Sequence, residues 1–379
     1  MTYETMDASV VLTVNAGSSS VRLATYRRTA TSLSRFAFNH SNDVANPVTL
    51  LADFVGREKP PSLGVIAHRV VHGGERLVEP CLIDSRIEAE ISRLIPLAPL
   101  HNPVALRWIQ ACREVFGRDV PQVAVFDTAF YAELPRAART YPLPKSLSDR
   151  HRLRRYGFHG LAHQSMWQRW CALRPDLDQG GRVITVQLGS GCSMTAIDRG
   201  KPQDTSMGFS PLEGLMMATR SGDLDPGLIT YLQQREQLSA AAIEAMLNRE
   251  SGLLGVSGES DMQKLLLRED DDARLALNMY VHRIRKYLGA YLAVLGGADA
   301  VLLGGGVAEN ASAVRESILA NMEWAGVALD VHANLAAVGV EACITRADSR
   351  VQAWVTPVDE SALLAAAADS LIRQQGGLR

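Results

Sequence analysis

Cysteine is scarce in these 379 residues: Cys81, Cys112, Cys171, Cys192 and Cys343 stand far apart. No two have metal-site spacing, and the scatter suits a reduced cytoplasm. A basic start and an apolar core are both missing from the opening MTYETMDASV, so no signal peptide is expected. An excess of either charge is missing too. Lys and Arg number 39 against 41 Asp and Glu, a net charge of −2 that offers neither a nucleic-acid surface nor a polybasic membrane anchor. No apolar run is long enough to span a membrane. The best, Leu288–Ala308, is broken by six glycines and Asp299 and reads as helix, turn, strand and glycine loop. There is no GxxxxGK[ST] phosphate loop and no protein-kinase HRD/DFG set, so phosphate chemistry here needs another scaffold.

What is present is the make-up of a soluble globular protein, 47% hydrophobic and 21% charged, at a length that suits two domains. Strand-like runs alternate with helical patterns throughout, which points to an α/β architecture. Val65–Val71 and Val123–Phe126 read as buried strands, and Ile87–Leu97 and Pro103–Phe116 as helices. Pro142–Leu153, with two prolines and many charges, reads as the linker between halves. In the second half, helices are expected near Leu161–Leu173, Leu228–Gln234, Ala240–Arg249, Arg274–Leu295 and Asn310–Asn321. Strands are expected at Ala300–Leu303 and Val351–Val355, and a terminal helix at Ser361–Gln374 that packs back on the first domain. The charge run Arg268–Arg274 reads as a solvated helix start.

Two stretches share one pattern. Val11–Tyr26 (VLTVNAGSSSVRLATY) aligns without a gap on Val183–Asp198 (VITVQLGSGCSMTAID). Val11/Val183, Thr13/Thr185, Val14/Val186, Gly17/Gly189, Ser18/Ser190 and Ala24/Ala196 are identical pairs. Each stretch is a strand, a Gly-Ser turn and a second strand. Taken alone, such a unit is equally an ordinary hairpin or a turn whose backbone N–H groups cradle an anion. Taken together, the two suggest an internally duplicated fold with a polyphosphate between its halves.

Several polar groups also share one placement, where an apolar strand ends and a loop begins: Asn15, Arg69, Asp127, Ser190, the glycines at 304–306 and Glu360. Singly, each reads more readily as a solvated loop residue; six at one rim point to a site, since ligands bind there in α/β sheets. Arg69 and Arg220 offer paired donors to carboxylate or phosphate. Asn15 and Glu360 supply oxygen ligands of the kind Mg²⁺ takes. His159 is a candidate donor to a phosphoryl oxygen.

Over nearly its whole length the chain resembles the acetate kinase family, within the superfamily of acetate and sugar kinases, chaperone ATPases and actin. The segments that carry the resemblance are VNAGSSS, HRVVHGGE, PLHNP, VFDTAF, RRYGFHG, DTSMGFSPLEGLMMATRSGDLDP, SGLLGVSG, GGGVAEN and TPVDE. It implies two duplicated actin-like, ribonuclease H-like domains: residues 1–148, completed by the helix 361–379, and residues 149–360. It further implies transfer of the ATP γ-phosphoryl group to acetate, with Mg²⁺ or Mn²⁺, in a cytoplasmic homodimer whose domains close on the nucleotide. Carried over by position, Asn15 and Glu360 match the metal site, Arg69 the substrate-carboxylate arginine, and Asp127 the catalytic acid/base. His159 and Arg220 match the transition-state stabilisers, and Val71, Leu100 and Pro211 the apolar pocket for the substrate's alkyl end. The phosphate and nucleotide segments map to Ser18, Ser20 and Arg22, to Gln187, Leu188, Gly189, Ser190 and Gly191, to Asp261 and Gln263, and to Gly306, Val307, Ala308, Glu309 and Asn310.

One role is open to a physical check. A short-chain carboxylate is already ionised at neutral pH, its pKa lying near the side-chain value of about 4. Asp127 is therefore expected to orient Arg220, the metal or the nucleophile rather than remove a proton. Departures from the family cluster on the nucleotide side. Gln187 and Ser190 stand where histidine and asparagine are usual, Arg22 where lysine is, and Gln263 where arginine is. Weaker ATP binding or a different donor, such as pyrophosphate, is left open, as is propionate or butyrate as acceptor; a non-catalytic nucleotide-binding scaffold is a third reading.

Overall fold

The computed structural model describes residues 10–17, 21–28, 33–41, 46–59 and 63–376. They form two α/β units. One holds the described residues up to Ala132 together with those from Asp359 onward, and the other runs from Glu133 to Val358.

Each unit is built on a six-stranded mixed sheet. In the first unit β1 (Val10–Ala16), β2 (Val21–Arg28), β3 (Leu33–Ser41), β4 (Leu63–Val70), β5 (Cys81–Leu82) and β6 (Gln122–Phe126) lie in the order β3-β2-β1-β4-β6-β5. In the second, β7 (Arg182–Leu188), β8 (Cys192–Asp198), β9 (Lys201–Thr205), β10 (Ala300–Gly304), β11 (Ala342–Cys343) and β12 (Gln352–Val355) lie in the order β9-β8-β7-β10-β12-β11. The two orders match strand for strand. Strands β1, β4 and β6 run parallel, as do β7, β10 and β12, while the remaining pairings are antiparallel. This is the duplicated architecture that the two similar stretches suggest.

The central strands are β-branched and covered on both faces, so they lack the alternation of a half-exposed strand. All seven residues of β1 are buried, Thr13 among them. Its hydroxyl donates to the Ala24 carbonyl, 3.1 Å away, and the Thr185 hydroxyl donates in the same way to the Thr195 carbonyl at 3.3 Å. These two bonds also locate an error in the gapless alignment. Thr13 faces Ala24, but Thr185 faces Thr195 rather than Ala196. Four residues (17–20) separate β1 from β2, and only three (189–191) separate β7 from β8. The first arms correspond; past the turn the register slips by one.

One helix packs on the central parallel strands of each sheet. The helix Gly160–Leu173 packs on β7 and β10, and the terminal helix Glu360–Gly376 packs on β1 and β4. In the first unit, helix Asn102–Phe116 turns Val104, Trp108, Ala111 and Cys112 toward Leu12, Val14, Leu51 and Phe54. In the second, helix Asp271–Leu295 is capped by Asp270 and ended by Gly296 in the left-handed region (φ 67°).

The stretch 142–153 contains a helix, Lys145–His151, and groups with the second unit together with residues 133–141. The cause is local bonding. Thr140 bridges to Arg154, Arg155 N donates to the Arg139 carbonyl, and the Tyr141 hydroxyl reaches Glu213.

Candidate active site

In the first unit, three parallel strands bring polar side chains to one edge. Asn15 is the penultimate residue of β1, Arg69 the penultimate of β4, and Asp127 follows β6 directly; Glu360 opens the terminal helix. Arg69 is central. Its Nε and one terminal nitrogen donate to Asp127 Oδ2 at 3.1 and 2.5 Å, and its other terminal nitrogen donates to Asn15 Oδ1 at 3.2 Å. Asn15 Nδ2 donates to Glu360 Oε2 at 2.6 Å, which lies 3.8 Å from Arg69. Burial works to lower the Arg69 pKa, but the charges of Asp127 and Glu360 outweigh it and raise the value. With its side chain only 1% exposed, Asp127 serves here as the carboxylate that holds Arg69.

In the same unit, Val71 is buried and Leu100 exposed. The loop that carries Leu100 is held by a residue that sequence reasoning passed over. Asn102, fully buried, accepts from His72 N and donates to the His72 carbonyl, both at 3.1 Å, so that one amide ties the 98–102 turn to the end of β4. Ser18 and Ser20 lie outside the described residues. Arg22 is exposed on β2, directly opposite Asn15 in the ladder.

In the second unit a cavity of about 500 Å³ gathers most of the expected nucleotide residues. Gly189, Ser190, Asp261, Gln263, Gly306, Val307 and Asn310 line it, joined by Ala218, Leu253, Ser260, Met262, Leu266, Tyr280 and Ala311. These additions come from three separate helices and from several connecting segments, and no local pattern in the chain marks them. Gln187, Leu188, Gly191, Ala308 and Glu309 are not on its wall. Leu188 and Ala308 are core residues. Glu309 instead accepts from Gly305 N at 2.8 Å and Val358 N at 3.1 Å, bracing the glycine loop against the strand-end segment. Asp261 caps its own short helix, one oxygen accepting from Gln263 N at 2.8 Å. The three glycines have separate jobs. A Cβ at Gly304 or Gly305 would meet the Thr356 or Leu188 carbonyl at 2.6 Å, whereas Gly306 has open space before it, on the cavity side.

At the other side of the same turn stand two basic groups. A Cβ built on Gly191 would lie 3.4 Å from His159 Nε2 and 3.6 Å from the Arg220 guanidinium. His159 takes the left-handed conformation (φ 57°) just before helix Gly160–Leu173. Its Nδ1 lies 2.9 Å from Ser193 Oγ. Arg220 donates to the Pro211 carbonyl at 3.0 Å and has no carboxylate partner among the described residues. Burial opposes its charge and lowers its pKa, an effect the nearby Cys192 only partly offsets. Such a guanidinium is a ready partner for an anion. Pro211 sits in a loop fixed from below: Phe209 N donates to the Tyr141 hydroxyl at 2.8 Å, that hydroxyl donates to Glu213, and Arg155 donates to Glu213 at 2.6 Å.

Comparison with known proteins agrees on one family. Residues 31–366 match the acetokinase family. An acetate kinase from Solibacter usitatus is 48% identical over 305 residues, 79% of this chain and 74% of that one. One from Streptomyces coelicolor is 44% identical over 319 residues, covering 83% and 78%. Among solved structures, Porphyromonas gingivalis acetate kinase superposes with a TM-score of 0.85 at 35% identity, covering 96% of this chain and all of that one. A propionate kinase from Francisella tularensis gives 0.85 at 33% identity, covering 96% and 99%.

Proposed function

The chain belongs to the acetokinase family, and on that premise we propose that it transfers the γ-phosphoryl group of ATP reversibly to acetate, giving acetyl phosphate and ADP. One observation carries the reading. Gly189 and Ser190 line a cavity of about 500 Å³, and the next residue of the turn, Gly191, stands against His159 and Arg220. A polyphosphate leaving that cavity along the turn meets a guanidinium and an imidazole. The cavity also lies within the usual range for small-molecule sites, roughly 300–1,000 Å³. A filled cleft, which would favour pyrophosphate as donor, is not what these residues form.

In this reading an acetate oxygen attacks the γ-phosphorus in line, and the bond to the β-phosphate oxygen breaks with its electron pair leaving on ADP. No proton moves, so no base is required. Arg220 and His159 donate to the oxygens of the transferring group, where charge is spread in the transition state. Arg69 takes the acetate carboxylate and Asp127 keeps that guanidinium in place, a positioning role in accord with its buried ion pair. By family position, Val71, Leu100 and Pro211 would take the methyl group.

A divalent cation fits the donor set at Asn15 and Glu360, since both offer hard oxygens. No cluster of three or more His, Cys, Asp or Glu suited to a metal occurs among the described residues. The two would therefore hold Mg²⁺ or Mn²⁺ mainly through water and phosphate oxygens. When bound, the ion would neutralise and align the phosphates. Family membership also leads us to propose a homodimer and a cytoplasmic setting; no helix among the described residues is long and apolar enough to cross a membrane.

The test is acyl phosphate formation from acetate, propionate and butyrate with ATP, GTP and pyrophosphate. ATP with acetate should give the highest kcat/KM. Pyrophosphate as the preferred donor would overturn the assignment of the cavity, and absence of product from every pair would leave a non-catalytic scaffold.

A further inference from the structure

Two histidines one helical turn apart meet at a single hydroxyl. His159 Nδ1 and His163 Nε2 lie 2.9 and 2.8 Å from Ser193 Oγ, and His163 Nδ1 lies 2.7 Å from Thr185 Oγ1. Thr185 Oγ1 is in turn 3.3 Å from the Thr195 carbonyl. Ser193, His163 and Thr185 are fully buried, so these hydrogen bonds stand in place of bonds to water.

The direction of this chain is set at its far end. A carbonyl only accepts, so Thr185 gives its one hydroxyl proton to Thr195 and accepts from His163. The same threonine-to-carbonyl bond occurs in the first unit, from Thr13 to Ala24, where no histidine takes part. It is a property of the duplicated hairpin and not a response to His163. His163 therefore carries its hydrogen on Nδ1. Burial keeps this ring neutral, its pKa pushed down to about 3. Its Nε2 is then a bare acceptor for the Ser193 proton. Ser193, with that proton given, accepts from His159.

We infer that Thr185, His163 and Ser193 act as a proton-ordering relay that fixes the His159 hydrogen on Nδ1. They are positioning residues, and their use rests on the phosphoryl-transfer reading above. The relay decides what Nε2, the atom on the Gly191 and Arg220 side, can do. In the neutral ring it is a lone pair, which repels a phosphoryl oxygen. Only the doubly protonated ring donates from it. His159 thus serves the reaction as an imidazolium, and Ser193 remains its acceptor in both states.

The experiment is nitrogen NMR on the full chain labelled at histidine, with His159 identified by the signals lost in His159→Gln. Two-bond nitrogen–proton correlations distinguish the tautomers. The neutral wild-type ring should show a protonated Nδ1 and a bare Nε2, and Ser193→Ala should move the hydrogen to Nε2. Ser193→Ala should also lower kcat by about 10- to 100-fold, a usual cost of removing the partner that orients a functional histidine. Ser193→Thr, which keeps the hydroxyl, should recover most of that loss. A wild-type ring protonated on Nε2, or a tautomer unchanged in Ser193→Ala, overturns the relay; if Ser193→Ala does not fold, the wild-type spectrum decides alone. A chain that makes no acyl phosphate yet shows the Nδ1 tautomer overturns the functional reading and leaves the relay standing.

Discussion

In the first unit the guanidinium of Arg69 lies against Asp127 and within 3.8 Å of Glu360, and in the second that of Arg220 lies against a carbonyl and the Met217 thioether with no carboxylate partner among the described residues. The two sheets share one strand order, but Arg69 stands on β4 and Arg220 in the irregular segment that follows β9, so the second arginine belongs to what that unit adds to the shared scaffold. Arg69 is already compensated by carboxylates of its own unit, and Arg220 by no carboxylate among the described residues. The comparison teaches that one duplicated fold holds an arginine neutralised by its own unit and another with no carboxylate partner among the described residues. The same truncation should therefore do opposite things in the two places.

Arg69→Ala should give the largest loss of stability. It strips a buried carboxylate of its guanidinium, and breaking a buried pair from one side costs about 3–5 kcal/mol. Urea unfolding would measure it. Adding Asp127→Asn to Arg69→Ala should return much of the loss, because the amide carries no charge to desolvate. A loss below about 1 kcal/mol, the range of an exposed ion pair, would mean that Asp127 does not depend on Arg69.

Arg220→Ala should leave stability unchanged or slightly raised, since it removes a buried charge with no ion pair. Its cost falls on rate: about 10²–10³ in kcat, as for removal of one donor to a developing anion. Single-turnover kinetics separate this from substrate binding. Near-normal kcat would end the assignment of Arg220 and with it the contrast between the two arginines.

Much of this contrast was legible in the chain. The alternation of apolar runs and helical patterns gives the α/β class, and Asn15, Arg69 and Asp127 stand at strand ends because such ends are where polar residues interrupt buried runs. The hairpin and the anion-cradling turn, left as alternatives, do not exclude each other in the second unit: β7 and β8 pair as a hairpin, and Gly189 and Ser190 of their turn line the cavity. Partners distant in sequence were not legible. Nothing local ties Ser193 to His159 and His163, although the two histidines at i and i+4 share a helix face. Nor does Tyr141 announce its bond to Glu213, 72 residues away, which draws residues 133–148 into the second unit. The one-residue slip after Gly17 was hidden because identity at Ala24 and Ala196 arose by coincidence across turns of unequal length.

The units should also differ in their response to acid. Burial lowers His68 and His72 of the first unit to about 4 from 6.5, the Arg113 charge adding to the effect at His68 and a bond to Gln122 opposing it. His163 of the second unit is lowered to about 3. Below pH 6.5 the unfolded chain takes up protons that these folded rings refuse, so their contribution is complete above 6.5 and is lost as pH falls toward 4 and then 3. Calorimetry between pH 8 and 4 should show Tm falling across this window, with a shallower slope in His72→Asn. An unchanged slope would mean that His72 does not enter folding as a neutral ring.

The smallest effect separates the two hairpins where they are most alike. Thr13→Val and Thr185→Val each remove a hydroxyl that donates to the facing carbonyl, at a usual net cost of about 1 kcal/mol. Valine matches threonine in shape and suits a buried strand, so neither should disturb packing. In the first unit the consequence ends there, and kcat should be that of the wild type. In the second, the same change also removes the acceptor of His163 Nδ1. A buried donor left without a partner costs roughly a further 1–3 kcal/mol, and it frees His163 to reverse the proton order that reaches His159. Urea unfolding should therefore place Thr185→Val below Thr13→Val, and only Thr185→Val should lose rate. Equal stability and equal kcat in the two variants would show that the duplicated threonines do the same job, and the relay would lose its anchor.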